Sequence, residues 1–237
     1  MSSQAWLNEP VARAAAWSLA TILFYLLAKR IYRFHPRWWL MPLAVAPALL
    51  GTLAFVLHEP YRDYIRGTGW LVAMLGPATV AFAVPIYEQR VLIRRYWAFL
   101  LAGMVMGSLT AMVSSWALAS VLGIDGELRL SLLPRSISTP FAMEVSGEIG
   151  GVPELTAVFV VLTGIIGAAL GDILLARLPL RSKMARGALF GVGAHGAGTA
   201  RANQIGREEG AIAGLVMVLV GLMNVAIAPL FMYLMNW

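Results

Sequence analysis

Long apolar runs recur along this chain, and they restrict its fold more than any other feature. Stretches of 18 or more residues with few charges appear at 11–28, 38–57, 70–87, 96–122, 155–176 and 211–237. Each can cross a hydrocarbon core of about 30 Å as a helix. Charged residues are only 13% of the chain, against roughly 25% in soluble domains, so there is too little polar surface to cover a water-soluble body. The fold class is therefore an all-α polytopic membrane protein. It is expected to have about six full transmembrane helices plus two broken or re-entrant segments.

The formal net charge is +6, which in a soluble protein would point to nucleic acid. Here the basic residues cluster in short loops: Lys29, Arg30, Arg33 and Arg37; Arg90, Arg94 and Arg95; Arg177, Arg181, Lys183 and Arg186. That distribution orients a membrane protein with its basic loops in the cytoplasm. No basic face interleaved with aromatics is present, so no nucleic-acid partner is expected. Cysteine is absent, which excludes disulfides and thiolate metal sites. The histidines, at 35, 58 and 195, lack ligand spacing, so neither metal nor cofactor is expected. The first nine residues hold Glu9 and no Lys or Arg, so the first span reads as a retained helix rather than a signal peptide.

Two segments break the apolar pattern. Residues 134–153 and 187–207 are polar, Gly-rich and interrupted. If 134–153 crossed the membrane fully, span 155–176 would end outside and misplace the four basic residues that follow. If it dips in and returns, the same residues are cytoplasmic. The same logic makes 187–207 a dip from the cytoplasmic side. Non-helical backbone at that depth is tolerated only where protein or water satisfies it, so two dips imply a polar cavity. Thr139 and Thr199 lie 60 residues apart, and in that register Ala142 matches Ala202, Glu148 matches Glu208 and Gly150 matches Gly210. The units enter from opposite faces, which is the inverted-repeat pattern of many secondary transporters. Residues 1–68 read as an N-terminal scaffold or dimerisation part, and 69–237 as the transport core.

Within the dips, His195, Gly196, Gly198, Thr199, Arg201 and Asn203 stand in GAHGAGTARAN. Mobile glycines leading into a helix expose backbone amides that bind anions, and Arg201 adds a charge able to hold a carboxylate with two hydrogen bonds. Otherwise Arg201 pairs with Glu144 or reaches the headgroups. His195 either carries a coupled proton or bonds a backbone carbonyl. In the other dip Ser138 and Thr139 offer hydroxyls and Pro140 is expected to break the helix. Glu144 is a proton carrier, the partner of Arg201, or a solvated residue at a cavity mouth. Pro77 and Pro85 kink the third span. Gly164, Gly167 and Gly171 are spaced for close helix packing. A lone Gly171-Asp172 pair lacks the second carboxylate that aspartyl protease chemistry requires, so no enzyme is expected.

Three stretches, LGPATVAFAVPIY (75–87), SISTPFAMEVSGEIGGVPELTAVFVVLTGIIGAALG (136–171) and ARGALFGVGAHGAGTARANQIGREEGA (185–211), resemble the LrgB/CidB family in order and spacing. The family pattern around the histidine is close to Ser-His-Ala-Ile-Gly-Thr-Ala-Arg-Ala, where this chain has Ala194, Gly196 and Ala197. The resemblance implies a multi-pass protein of the bacterial inner membrane. Members were first described as holin/antiholin-like, and related ones are implicated in moving pyruvate, glycolate or glycerate. It therefore implies a transporter of small monocarboxylates, proton-coupled and working by alternating access, or alternatively a holin-like pore or lysis modulator. The expected partners are a small carboxylate, the lipid bilayer, a second copy in a homodimer, and a small LrgA/CidA-like membrane protein.

Overall fold

A computed structural model describes residues 10–235. Among them the regular structure is helical, with no strand. In chain order the elements are α1 (Pro10–Phe34), a 3-10 turn (Trp38–Leu40), α2 (Pro42–Leu57), α3 (Tyr61–Ala73), α4 (Leu75–Ala81), α5 (Ala83–Glu88), α6 (Arg90–Val121), α7 (Gly126–Leu132), α8 (Thr139–Glu148), α9 (Pro153–Arg177), α10 (Lys183–Ile205) and α11 (Arg207–Met235). The helix α1, the run Tyr61–Glu88, α6, α9 and α11 are each long and apolar enough to cross a membrane, and α2 is a shorter apolar helix. Large apolar side chains face outward, among them Phe55 at 82% and Val121 at 83% exposure. Lipid accepts such a surface and water does not. The chain is an all-α polytopic membrane protein.

The third span shows how local chemistry sets the elements. A proline lacks the N–H that would bond the carbonyl four residues back. Pro77 leaves Ala73 unbonded and Pro85 leaves Ala81 unbonded; α3 ends at Ala73 and α4 at Ala81. Thr79 bonds the Leu75 carbonyl of its own helix at 2.7 Å. Pro140 behaves differently from expectation. It stands in the first turn of α8 and opens that helix, because a first-turn N–H needs no partner within the helix.

The chain forms two compact units, one reaching to Val80 and the other starting at Ala81. This division falls inside the kinked third span, beyond residue 68. In the first unit α1 packs closely on α3. A Cβ at Gly67 would lie 2.8 Å from the Ala14 Cα. Ser18 Oγ donates to the Gly67 carbonyl at 2.8 Å and accepts from Trp70 Nε1 at 2.9 Å. Trp17 meets Tyr64 edge to face, with ring centroids 5.4 Å apart.

In the second unit α11 is the central helix. More than half of its apolar stretch is buried, 56% against 22% for α6 and for α9. It packs on α10, α8, α6 and α5. Two similar hairpins build this unit, each a broken helix followed by a tight turn and a long helix, and α11 is the long helix of the second. In the second hairpin α10 breaks at His195 and turns back, so that Gly198 lies against the Phe190 carbonyl. Lys183 and Arg186, at its start, pair with Glu208 and Glu209, just past its end. Start and end therefore lie at one level, and α10 dips and returns. In the first hairpin Ser131, at the end of α7, accepts from the Val152 amide at 2.8 Å, and Thr156 donates to the Ser131 carbonyl at 3.0 Å. Residues 133–149 thus leave this level and come back to it. Their apolar side, including Ile137, Phe141 and Val145, buries itself against Ile212, Val216 and Val220 of α11, which lie four residues apart on one helix face. The Phe141 ring covers Gly221, where a Cβ would meet it at 2.0 Å.

Candidate functional site

Each hairpin carries at its break a buried polar side chain with one atom that lacks a hydrogen-bond partner among the described residues. In the first break Ser138 ends the non-helical stretch and stands at the N-cap of α8, in extended conformation. It is 6% exposed, and its Oγ has no hydrogen-bond partner among the described residues. In the second break His195 is 3% exposed and takes φ 37 and ψ −118. Positive φ is normally left to glycine, yet the glycines on either side do not carry it. The His195 ring hydrogen-bonds the Val160 carbonyl, and its Nε2 is buried and unpartnered. Buried polar atoms are nearly always bonded; of the three orphans among the described residues, Arg186 Nε lies at the hairpin mouth and the other two stand one at each break, where something else can supply the partner.

Helix α9 brings the breaks to a common level. Its three glycines let α10 approach: a Cβ at Gly164 would meet His195 Cε1 at 2.7 Å, one at Gly167 the Gly193 carbonyl at 2.4 Å, and one at Gly171 the Phe190 ring at 2.5 Å. The small-residue spacing read from the sequence is thus the seat of the second break. From the first break Arg135 reaches the same turn of α9. Its Nη1 donates to Thr163 Oγ1 at 3.3 Å, while Nε donates to Ser115 Oγ of α6 at 2.8 Å. Gly193 and Gly196 are exposed, and a Cβ at either would meet nothing within 4 Å, so the second break is accessible on that side although His195 is not.

Of the residues expected to form the site, Ser138 and Thr139 lie at the first break, buried and half-buried, and His195, Gly196 and Gly198 at the second. Thr199 follows, half-buried, its Oγ1 3.8 Å from Met217 Sδ. The other three lie apart. Glu144 is exposed on α8, and Asn203 is exposed with its amide donating to the Thr199 carbonyl at 3.0 Å. Arg201 is paired, though not with Glu144: its Nε donates to both Asp172 oxygens, at 2.7 and 3.0 Å, and Nη1 to Gln204 at 2.8 Å. Asp172 is eight residues past Gly164 on α9, about 12 Å along the helix at 1.5 Å per residue. Arg201 is therefore displaced from the break and its charge is already balanced. Arg135 was not singled out from its residue type alone. The 60-residue register that aligns Thr139 with Thr199 places Arg135 opposite His195, and that was the signal for it.

A cavity of about 410 Å³ lies among α6, α8 and α11, with walls that include Trp116, Leu133, Val145 and Ile227. It is apolar apart from Ser108 and Asn224, whose side chains bond each other at 2.9 Å. Arg135, Ser138 and His195 do not line it. At the cytoplasmic end as read from the basic loops, Glu209 is 4% exposed and holds Arg186 at 2.7 Å. The hydrogen bond to Glu208 raises Lys183 above the usual lysine value.

The sequence model of one family matches residues 21–234, and its description is the LrgB-like family. The chain belongs to the LrgB-like family. Among its relatives is Bacillus subtilis YwbG, 40% identical over 91% of this chain and 96% of that protein. Two relatives named antiholin-like protein LrgB are also similar. The one from Bacillus subtilis is 31% identical over 95% of each chain, and the one from Bacillus mycoides 30% identical over 94% of each. No solved structure matches. In this LrgB-like chain the match takes in both hairpins and all of the candidate site.

Proposed function

We propose that this LrgB-like protein carries small monocarboxylates across the bacterial inner membrane by alternating access, coupled to protons. The observation that carries the reading is the pair of breaks, each with a buried orphan polar atom, Ser138 Oγ and His195 Nε2, at helix ends beside α9. Discontinuous helices in opposed hairpins are how secondary transporters build a midplane site, and irregular backbone survives at that depth only where it faces protein or a polar cavity. The substrate sits between the breaks, touching Ser138, Thr139, the backbone amides after Gly196 and Gly198, and Thr199. In this reading His195 takes the coupled proton, which the unpartnered Nε2 beside a ring nitrogen bonded to Val160 supports. Glu144 and Asn203 belong to the rim, and a second copy and a small LrgA/CidA-like protein are the expected partners.

The test is uptake of labelled pyruvate, glycolate and lactate into liposomes holding the purified protein, with and without such a partner. Saturable uptake driven by an imposed proton gradient is the expected result. Absence of uptake of all three, in either preparation, sinks the transport reading. The relatives' antiholin-like names support a second reading, a modulator of lytic pores. That reading expects release of a trapped dye by the protein or by its partner mixture, with no saturable carboxylate uptake.

A further inference from the structure

Four of the eleven Lys and Arg residues of the second unit meet carboxylates, and apart from Arg135 the others stand in the basic loops or at the start of α11. Arg129 meets Asp125 at 3.1 Å, Arg186 meets Glu209 at 2.7 Å and Arg201 meets Asp172 at 2.7 Å. Arg135 differs: among the described residues it makes no ion pair, and its two hydrogen bonds end on neutral hydroxyls. One of these, Ser115, already gives its own proton to the Ala111 carbonyl at 2.7 Å. Neither bond uses Nη2. The guanidinium is half-buried, and it lies at the depth of Thr163, ten residues into α9, which is about 15 Å from the start of that helix. Charges at such depth pair with each other or line a pathway. Arg135 lacks the pair among the described residues, which leaves the second role.

Two further polar groups stand at the two breaks. Ser138, three residues on in the same break, keeps an unpartnered hydroxyl, and His195 at the same turn of α9 keeps an unpartnered Nε2. A planar guanidinium with a free edge suits a carboxylate, and a hydroxyl beside it suits the second oxygen. We propose that Arg135 binds the carboxylate of the transported anion, with Ser138 and His195 beside it, and that Arg201 instead fastens α10 to α9. This assignment rests on the transport reading and names the residue that gives the site its charge selectivity.

The experiment compares the full-length wild type with Arg135→Gln, Arg135→Lys, Ser138→Ala and Arg201→Gln in liposomes, using labelled lactate with unlabelled lactamide as competitor. Equilibrium binding of lactate in detergent and thermal unfolding are measured in parallel. Arg135→Gln is expected to raise KM and Kd by about 30-fold or more, as loss of one member of a buried charge pair does, and to lose the preference for lactate over lactamide. Arg135→Lys keeps the charge without the fork, so transport persists with KM raised by about 3- to 10-fold. Arg201→Gln lowers the unfolding temperature but leaves KM near the wild-type value. Wild-type KM and unchanged discrimination in Arg135→Gln overturn the assignment while the transport reading stands. If Arg135→Gln does not fold, unchanged KM in both Arg135→Lys and Ser138→Ala overturns it equally. A wild type that neither binds nor moves any carboxylate tested removes the transport reading, and the assignment falls with it.

Discussion

At φ 37 and ψ −118 His195 holds a backbone that glycine would adopt without cost, and such strain in a non-glycine residue amounts to about 1–3 kcal/mol. Its ring does something a glycine cannot, namely bond the Val160 carbonyl and hold a buried Nε2 that has no partner among the described residues. His195→Gly relieves the backbone while removing the imidazole; His195→Ala removes the imidazole and keeps the strain. Thermal unfolding in detergent should therefore find His195→Gly more stable than His195→Ala by about 1 kcal/mol or more, and both variants should lose proton-driven uptake. Equal stability would mean that the break does not depend on this conformation. The histidine was visible in the sequence as a switchable group. Its role as the pivot of α10 was not, because three neighbouring glycines, Gly193, Gly196 and Gly198, were all better candidates for positive φ.

Between elements, the packing of α9 on α10 depends on the absence of side chains. Adding a methyl at Gly167 drives it into the Gly193 carbonyl at 2.4 Å, and backbone cannot move aside as a side-chain tip can. Gly167→Ala is expected to destabilise by about 1–3 kcal/mol and to reduce uptake by displacing the break. Gly103→Ala, on α6 with nothing within 4 Å of its Cβ position, should be neutral or stabilising by up to about 1 kcal/mol. The clasp at the mouth of the second hairpin gives a parallel comparison. Glu209 is buried against Arg186, so Glu209→Gln leaves a cation without its partner and should cost about 3 kcal/mol. Lys183→Met breaks the exposed pair with Glu208 and should change the unfolding temperature little.

For the molecule as a whole, the two dips decide which loops share a side of the membrane. Because the chain has no cysteine, single introduced thiols report topology cleanly. Thiols at Asp125 and Glu148 should be labelled by an impermeant maleimide from the same side, and thiols at Ser182 and Glu208 both from the other. Labelling of 125 and 148 from opposite sides would mean that residues 133–149 cross the membrane, and the opposed-hairpin architecture would be lost with it. The resemblance of the hairpins (a break, a short helix of ten residues, a tight turn and a long helix) was legible as the 60-residue register. The convergence of their breaks on one turn of α9 was not, since nothing in either segment states which third helix it leans on.

Features governed by near neighbours along the chain were readable in advance. Spans follow from runs of apolar residues, and kinks from Pro77 and Pro85 acting four residues back. All of these arise from bonds and partition energies that a residue experiences with its own segment and solvent. Charge partners are of another kind. Arg201 and Asp172 are 29 residues apart, and Arg135 reaches Thr163 across 28; the sequence offered Glu144 for Arg201, and the fold supplies Asp172 instead. Which one is neutralised and which is left facing the break follows from how closely α10 settles onto the glycines of α9. That distance is set by the packing of the whole second unit, and it is what separates a structural arginine from one free to hold a substrate.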